Sequence, residues 1–303
     1  MTPRLSVVVV TYSMTRELPR TLATLDPRNQ SGVAPSDYEV IVVDNGSPKP
    51  VDDGLLAAFG GNIRLLRIDD APPSPAHAAN SGIEAAEAPL VGLIVDGARM
   101  ASPGLLVGAL EASTLAQRPV ITASAWHLGR VPHMRAAEIG YDQAAEDALL
   151  ETVDWQCDGY ELFRISTFAG SSWRGIFGPM GESSSLFLPS SLWFELGGLD
   201  ERFDLPGGGL VNHDLYRRAC TAEGVRLFQL LGEGTFHQFH GGAATSRRFT
   251  HEEMQAGYQA IHGERYRPPD VAPTYLGAVP PALLGHLEES VRLAKEGFRR
   301  PTP

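Results

Sequence analysis

Short apolar runs rich in β-branched residues mark the first third of the chain: LSVVVVTY (5–12), YEVIVVDN (38–45), IRLLRID (63–69) and LVGLIVD (90–96). Runs of this length without polar alternation predict strands covered on both faces. The segments between them have helical character. Leu18, Leu22 and Leu25 recur at i, i+4 and i+7, and SPAHAANSGIEAAEA (74–88) is Ala-rich and opens on Ser-Pro, a usual helix start. This alternation of strand and helix predicts an α/β fold, a mostly parallel sheet with right-handed crossovers and helices on both faces. Such sheets bind ligands beyond the carboxyl ends of their strands. Thr11, Tyr12, Asp44, Asn45 and Asp96 all fall there.

The second half is less regular. VITASAWHLG (120–129) and SSSLFLP (183–189) predict strands, and 141–151 a helix, while 155–184 has many Gly, Ser and aromatic residues with no clear period. SSLWFELGG (190–198) predicts a short helix stopped by glycine, and NHDLYRRACTAEG (212–224) a helix with Asn212 as its N-cap. VRLFQLLGEGTFHQFHGG (225–242) predicts one or two strands ending in a flexible Gly241-Gly242 loop. Past RYRPPD (265–270) the chain is Pro-rich, and 281–300 carries Leu284, Leu287, Val291, Ala294 and Phe298 at helical spacing. That stripe reads first as core packing, then as the seam of a homodimer, and last as a membrane-surface helix. Glu288, Glu289, Arg292, Lys295 and Glu296 are mixed in sign, whereas an interfacial helix would be mainly basic on its polar face.

Composition narrows the classes. The chain has 303 residues, 43% hydrophobic and 20% charged, enough for one large globular domain or slightly more. With 25 Lys and Arg against 36 Asp and Glu, the net charge of −11 argues against a nucleic-acid or anionic-membrane surface, so any bound anion must be held locally. The two cysteines, Cys157 and Cys220, are far apart, form no metal or redox motif, and read as free thiols in a reducing cytoplasm. No stretch approaches a membrane span, and the apolar run at Leu5–Val10 is shorter than a signal segment.

Six motifs in order, VVVVTYSMTRELPRTLATL, VIVVDNGS, AHAANSGI, LIVDGARMASPGLL, LFLPSSLWFELGGLDERFD and DLYRRA, resemble family 2 glycosyltransferases of the GT-A fold. The resemblance covers residues 5 to about 242. It implies a nucleoside-diphosphate-sugar donor, a UDP-sugar favoured, and inverting transfer to an acceptor hydroxyl. It assigns Thr11, Tyr12, Asp44 and Asn45 to base and ribose recognition, places Asn80 in the donor site, and sets Asp96, Gly97 and Arg99 against the diphosphate. The implied division is a glycosyltransferase domain over 1–266, with a nucleotide-binding half (1–118) and an acceptor-binding half (119–266), followed by a Pro-rich linker and C-terminal helix (267–303). Two positions depart from the family pattern. Ala98 stands where a second metal-site Asp is usual, and Val211-Asn212 stand where a Glu-Asp pair supplies the base.

Each candidate also has a plain structural reading. Asp44 precedes Asn45-Gly46-Ser47 and would cap that turn, or accept from a ribose hydroxyl or base N–H. Asp96 is either a satisfied strand-end acid or a ligand of Mg²⁺ or Mn²⁺, and Mg²⁺ commonly takes only one or two carboxylates plus phosphate oxygens. In FHQFH, an odd separation on an extended strand sends His237 and His240 to opposite faces. His240 is then the better ligand candidate, and an imidazole ligand favours Mn²⁺. Arg99 would neutralise phosphate or lie solvated at the surface. Because Asn212 cannot accept a proton, Asp214 in the first helical turn is the candidate base, with Glu182 and His213 as alternatives. Asp214 also reads as an acid favoured by the helix dipole. With Ala98 and Asn212 at these positions, the competing function is a non-catalytic nucleotide-sugar or glycan-binding module. A nucleotidyltransferase is disfavoured because no Gly-rich loop with a basic residue follows the first strand.

Overall fold

The computed structural model describes residues 2–59, 62–240 and 249–299. The four expected strands form as β1 (Leu5–Thr11), β2 (Tyr38–Asp44), β3 (Ile63–Arg67) and β4 (Leu90–Ile94). They lie in the order β4-β1-β2-β3 and every neighbouring pair is parallel. Helices α1 (Leu18–Leu25), α2 (Asp53–Ala57) and α3 (Ala76–Glu84) connect them. α3 begins at the Ser-Pro signal, with Pro75 as N-cap and Ser74 Oγ accepting from the Ala76 N–H. Alternate residues of each strand serve opposite layers. Val8, Val10, Ile41 and Val43 pack with α3, whereas Val7, Val9, Val40 and Val42 pack with Leu18, Leu22 and Leu25 of α1. Each such buried side chain contributes about 1.5–3 kcal/mol, which accounts for strand sequences with no polar face.

Beyond β4 follow β5 (Arg99–Ala101), α4 (Leu105–Ser113), β6 (Pro119–Leu128), α5 (Gln143–Leu150), β7 (Ser166–Phe168), β8 (Ser185–Pro189) and α6 (Ser190–Leu196). Then come α7 (Val211–Thr221), β9 (Arg226–His237), α8 (His251–His262), β10 (Thr274–Gly277) and α9 (Leu284–Arg299). The sheet continues from β4 through β8, β6 and β9 to β10; β8 runs antiparallel to both its neighbours, and β6, β9 and β10 are mutually parallel. The short β5 and β7 pair antiparallel with β9 and β6. The result is the expected mixed, mostly parallel α/β sheet.

Three local expectations are corrected. Asn212 is not an N-cap: α7 starts one residue earlier, after Leu210, and Asn212 lies within the helix. Within 267–303, Thr274–Gly277 is a sheet strand on β9. The contact face of α9 keeps Leu287, which packs against the cluster around Trp126 and Phe163, but is rotated from Leu284 and Val291 of the expected stripe. Leu284 is 54% exposed and Val291 41%, while Leu283, just before α9, and Ser290 are fully buried. The rotation follows from polar anchoring: His286 Nε2 donates to the Phe163 carbonyl at 2.9 Å, and Ser290 Oγ accepts from the Ile176 N–H at 3.2 Å. The side chain of Phe298 and the Gly241-Gly242 loop lie outside the described residues. Among the described residues no helix is long and apolar enough to cross a membrane.

Candidate functional site

β1 and β2 end side by side, with Thr11 opposite Asp44. Asp44 is buried and closes the loop that follows: Oδ1 accepts from the Ser47 N–H at 3.0 Å and Oδ2 from the Val51 N–H at 2.9 Å. The Asn45 N–H donates to the Thr11 carbonyl at 2.9 Å, tying the two strand ends together. Asn45 Oδ1 and Thr11 Oγ1 are buried without a partner among the described residues. The next residue, Tyr12, is 51% exposed. An unsatisfied buried acceptor costs about 1–3 kcal/mol, so two of them near an exposed aromatic ring suit a flat, polar ligand.

Asp96 follows β4 one residue before Gly97, whose N–H donates to the Val10 carbonyl at 2.7 Å. A Cβ on Gly97 would stand 2.9 Å from Thr11 Oγ1, so glycine is what allows the Asp96 loop to lie against the end of β1. Asp96 Oδ1 accepts from the Ala98 N–H at 2.8 Å. Ala98 is fully buried and its carbonyl accepts from the Gln238 N–H, which leaves no open space for a second carboxylate. Asp96 Oδ2 instead meets two imidazoles, His237 Nε2 at 3.0 Å and His240 Nε2 at 3.3 Å, and those nitrogens are 3.1 Å apart. The expectation that only one histidine faces the site is corrected, because β9 ends at His237 and strand alternation stops there. Gln238 Nε2 then donates to the Glu17 carbonyl, the Phe239 N–H to Glu146 Oε2, and Arg16 Nη1 to the Phe239 carbonyl, turning the chain so that His240 comes back beside His237.

The electrostatics of these three groups differ. Burial alone would raise the Asp96 carboxyl, but His240 and His237 outweigh it and hold the acid well below the usual carboxylate range. Burial pushes His237 down to about 3. It also opposes protonation of His240, yet Asp96 carries that ring above an ordinary imidazole. One carboxylate oxygen and two imidazole nitrogens thus converge on space for a single positive charge, a donor set that fits a divalent cation accepting nitrogen as well as oxygen. Arg99 stands directly opposite His237 in the β5–β9 ladder. Burial draws its pKa below the usual guanidinium value, against the pull of Asp96 and Glu182. Its Nε and Nη1 are buried with no partner among the described residues, and a guanidinium with unused donors is a receptor for an oxyanion.

The two candidate bases have opposite surroundings. Glu182 is partly open to solvent, with His213 Nδ1 3.3 Å from its Oε2. The Tyr266 ring packs edge-on to His213, and the Tyr266 hydroxyl donates to the Gly181 carbonyl. Asp214 is 1% exposed. Its Oδ2 accepts from Arg218 Nε at 2.7 Å and its Oδ1 lies 3.1 Å from His262 Nε2. This geometry speaks against the base role expected of Asp214: its carboxylate is closed from solvent, bonded to Arg218 and close to His262. Asn80, expected in the donor site, is likewise engaged. Its Oδ1 accepts from the Leu199 N–H, and its Nδ2 donates to the Leu199 carbonyl and Glu201 Oε1, so the amide staples α3 to the 198–201 loop.

No protein-family model matches the chain. It is 26% identical over 219 residues to validoxylamine A glucosyltransferase of Streptomyces hygroscopicus subsp. limoneus, covering 68% of this chain and 46% of that protein. The same enzyme of S. hygroscopicus subsp. jinggangensis (strain 5008) matches at 26%, over 68% of this chain and 49% of its own length. The chain therefore spans about half the length of the curated relatives it matches. In structure it is similar to S. aureus TarS 1-349, solved in complex with UDP-GlcNAc, with a TM-score of 0.53, 14% identity and coverage of 86% of this chain and 65% of that one. That second likeness is one of fold. The fold is GT-A-like, and the sequence is similar to those of two glucosyltransferases.

The fold brings Thr11, Asp44, Asn45, Asp96, Gly97 and Arg99 to neighbouring strand ends, sets His240 beside them just past the end of β9, and holds Asn80 and Asp214 in bonds to their own neighbours. It also adds residues the sequence does not single out. Arg16 donates to Asp147, Glu146, Glu17 and the Phe239 carbonyl, gathering α5 and the His237–His240 turn around the start of α1. The two histidines of FHQFH are visible in the sequence. Their convergence is not, because the partners that turn the chain lie far away in sequence.

Proposed function

We propose that the protein is an inverting glycosyltransferase that takes a nucleoside-diphosphate sugar, a UDP-sugar favoured, and transfers its sugar to an acceptor hydroxyl. The observation that carries this reading is the convergence of Asp96, His237 and His240 beside the unpartnered Arg99 guanidinium, at the strand ends that also hold Thr11 and Asn45. Similarity to validoxylamine A glucosyltransferases supports the class of reaction. In this reading residues 1–118 hold the donor and 119–266 the acceptor, and the setting is cytoplasmic, which two unpaired cysteines suit.

Tyr12 offers its ring to the base, and the unused Asn45 Oδ1 offers an acceptor to a base N–H such as the imide of uracil. Asp96, His237 and His240 would hold Mn²⁺ or Mg²⁺, with imidazole nitrogen favouring Mn²⁺. When bound, the ion supplies positive charge to the leaving diphosphate. Arg99 adds donors where negative charge develops as the anomeric carbon–oxygen bond breaks. The acceptor oxygen forms the new bond to the anomeric carbon from the opposite face, and its proton passes to the Glu182 carboxylate, beside His213.

The test is nucleotide-sugar transfer and binding with and without Mn²⁺. Asp96→Ala should cut turnover by orders of magnitude and weaken metal-dependent nucleotide binding, since such a clamp contributes several kcal/mol. Full activity in excess EDTA would remove the metal from the reading and leave Arg99 as the diphosphate group. Tight binding of the donor with no transfer to any hydroxyl acceptor would favour a binding module instead.

A further inference from the structure

An imidazole binds a cation only through a nitrogen that keeps its lone pair, and what the other nitrogen meets decides which one that is. Behind His237 lies a buried chain of contacts that bears on it. His133 is 1% exposed, and its Nε2 is 2.9 Å from the Leu128 carbonyl oxygen. A carbonyl only accepts, so Nε2 of His133 bears the hydrogen, and in the neutral ring Nδ1 keeps the lone pair. That Nδ1 stands 3.1 Å from Nδ1 of His237. Two lone pairs would repel there, so this contact favours hydrogen on His237 Nδ1. Nε2 of His237 faces His240 Nε2 and, at 3.0 Å, Asp96 Oδ2, an ionised carboxylate that also only accepts, so in the metal-free protein His133 and Asp96 compete for the one hydrogen of the neutral ring, and the His133 contact favours the form whose lone pair is on Nε2. His133 is itself held in place: its backbone N–H donates to His127 Nδ1 at 2.9 Å, and the two rings stack at 4.4 Å and 15°.

We propose that His133 is a positioning residue for the cation site: the chain Leu128 carbonyl, His133, His237 biases His237 toward its Nδ1–H tautomer, against the pull of Asp96, and so presents Nε2 to the metal. The metal role rests on the function proposed above, whereas the tautomer does not. A carbonyl or carboxylate commonly backs a metal-binding histidine in this way; here a second histidine relays the carbonyl.

Long-range ¹H–¹⁵N correlation spectra of the metal-free protein report the tautomer directly, and His237 should carry hydrogen on Nδ1 in a larger fraction of the parent than of His133→Phe. Mn²⁺ alone, followed by electron paramagnetic resonance, reports the affinity. His133→Phe fills similar space without an acceptor. It should move His237 toward the Nε2–H tautomer and weaken Mn²⁺ binding about 10- to 100-fold. His133→Asn, whose Oδ1 reaches nearly the place of the imidazole Nδ1, should retain most of the affinity and controls for folding. An equal share of the Nδ1–H tautomer in parent and His133→Phe, or equal Mn²⁺ affinity in the two, overturns the proposal. If the parent takes up no Mn²⁺, the metal reading fails, and the relay stands or falls on the tautomer of His237.

Discussion

Glu182 and Asp214 show how far environment separates two carboxylates. Asp214 was legible as an acid in the first turn of a helix with Arg218 at i+4, but the nearness of His262 depends on α8 packing beside it. Asp214→Asn should leave turnover close to normal while costing roughly 3 kcal/mol by stranding the Arg218 charge, read from urea midpoints. Glu182→Gln should keep donor affinity and lower turnover about 10²-fold or more, as expected for loss of a general base. The reverse pattern in steady-state kinetics would return the base to Asp214. Ala98 gives a second residue-level test. Because its Cβ is fully enclosed, Ala98→Asp should not strengthen Mn²⁺ binding and should destabilise the fold by about 1–3 kcal/mol or more for an unpaired buried polar group. Tighter Mn²⁺ binding in that variant would show that a carboxylate there reaches the ion.

The turn after β9 is held by its neighbours rather than by its own sequence. Glu146, fully buried at the start of α5, accepts from the Phe239 N–H at 2.6 Å and from Arg16 at 3.1 Å. Burial raises its carboxyl from the ordinary 4.5 to about 7 despite Arg16, whose charge is shared with Asp147 and Glu17. Between those two values the native protein holds a proton that the unfolded chain has released. Stability therefore falls as pH rises through that window and levels off above it. Glu146→Gln should flatten this decline, comparing urea midpoints at pH 5 and pH 7.5; an unchanged pH slope would remove Glu146 as its source. β9 also carries a bulge, where its register with β6 shifts after Leu230. There Gly232 has φ +84, and a Cβ would collide with the Ala278 carbonyl beyond β10. Gly232→Ala should therefore cost more than the roughly 1 kcal/mol of an ordinary strained glycine site, measured as a drop in Tm.

The C-terminal segment belongs to the packed body of the protein. β10 pairs with β9, Leu283 joins the cluster around Trp126, Phe163 and Phe236, and His286 and Ser290 bond to backbone groups of two loops. Truncation after Asp270 should consequently lower Tm markedly, since it exposes that cluster and an edge of β9; an unchanged Tm would mean that α9 does not dock. Leu284 and Val291 remain on the outer face. Leu284→Lys with Val291→Lys should shift stability by no more than about 0.5 kcal/mol, as for surface sites. Light scattering on the same variant tests the homodimer seam: a parent dimer that becomes monomeric would establish it, and an unchanged mass would exclude this face.

Periodicity and composition alone determined the alternating strands and helices of the first half, the two-sided burial of β1, β2 and β4, and the placing of Thr11, Asp44 and Asp96 at strand ends. These properties are local, written in runs of four to eight neighbouring residues. The nearby pattern also carried α1, α3, α6 and α9 as elements, though not which face of α9 packs. Only the tertiary structure decided that His237 and His240 converge on Asp96, that Arg99 has unused donors, that Asn80 and Asp214 are occupied structurally, and that Thr274–Gly277 is a strand. Each of these depends on groups brought together from distant parts of the chain: Asp96 with His237, Asn80 with Leu199, β10 with β9. Side-chain chemistry names the candidates, but whether a carboxylate is a ligand, a base or a staple is set by which charges and backbone groups the fold places within hydrogen-bonding distance of it.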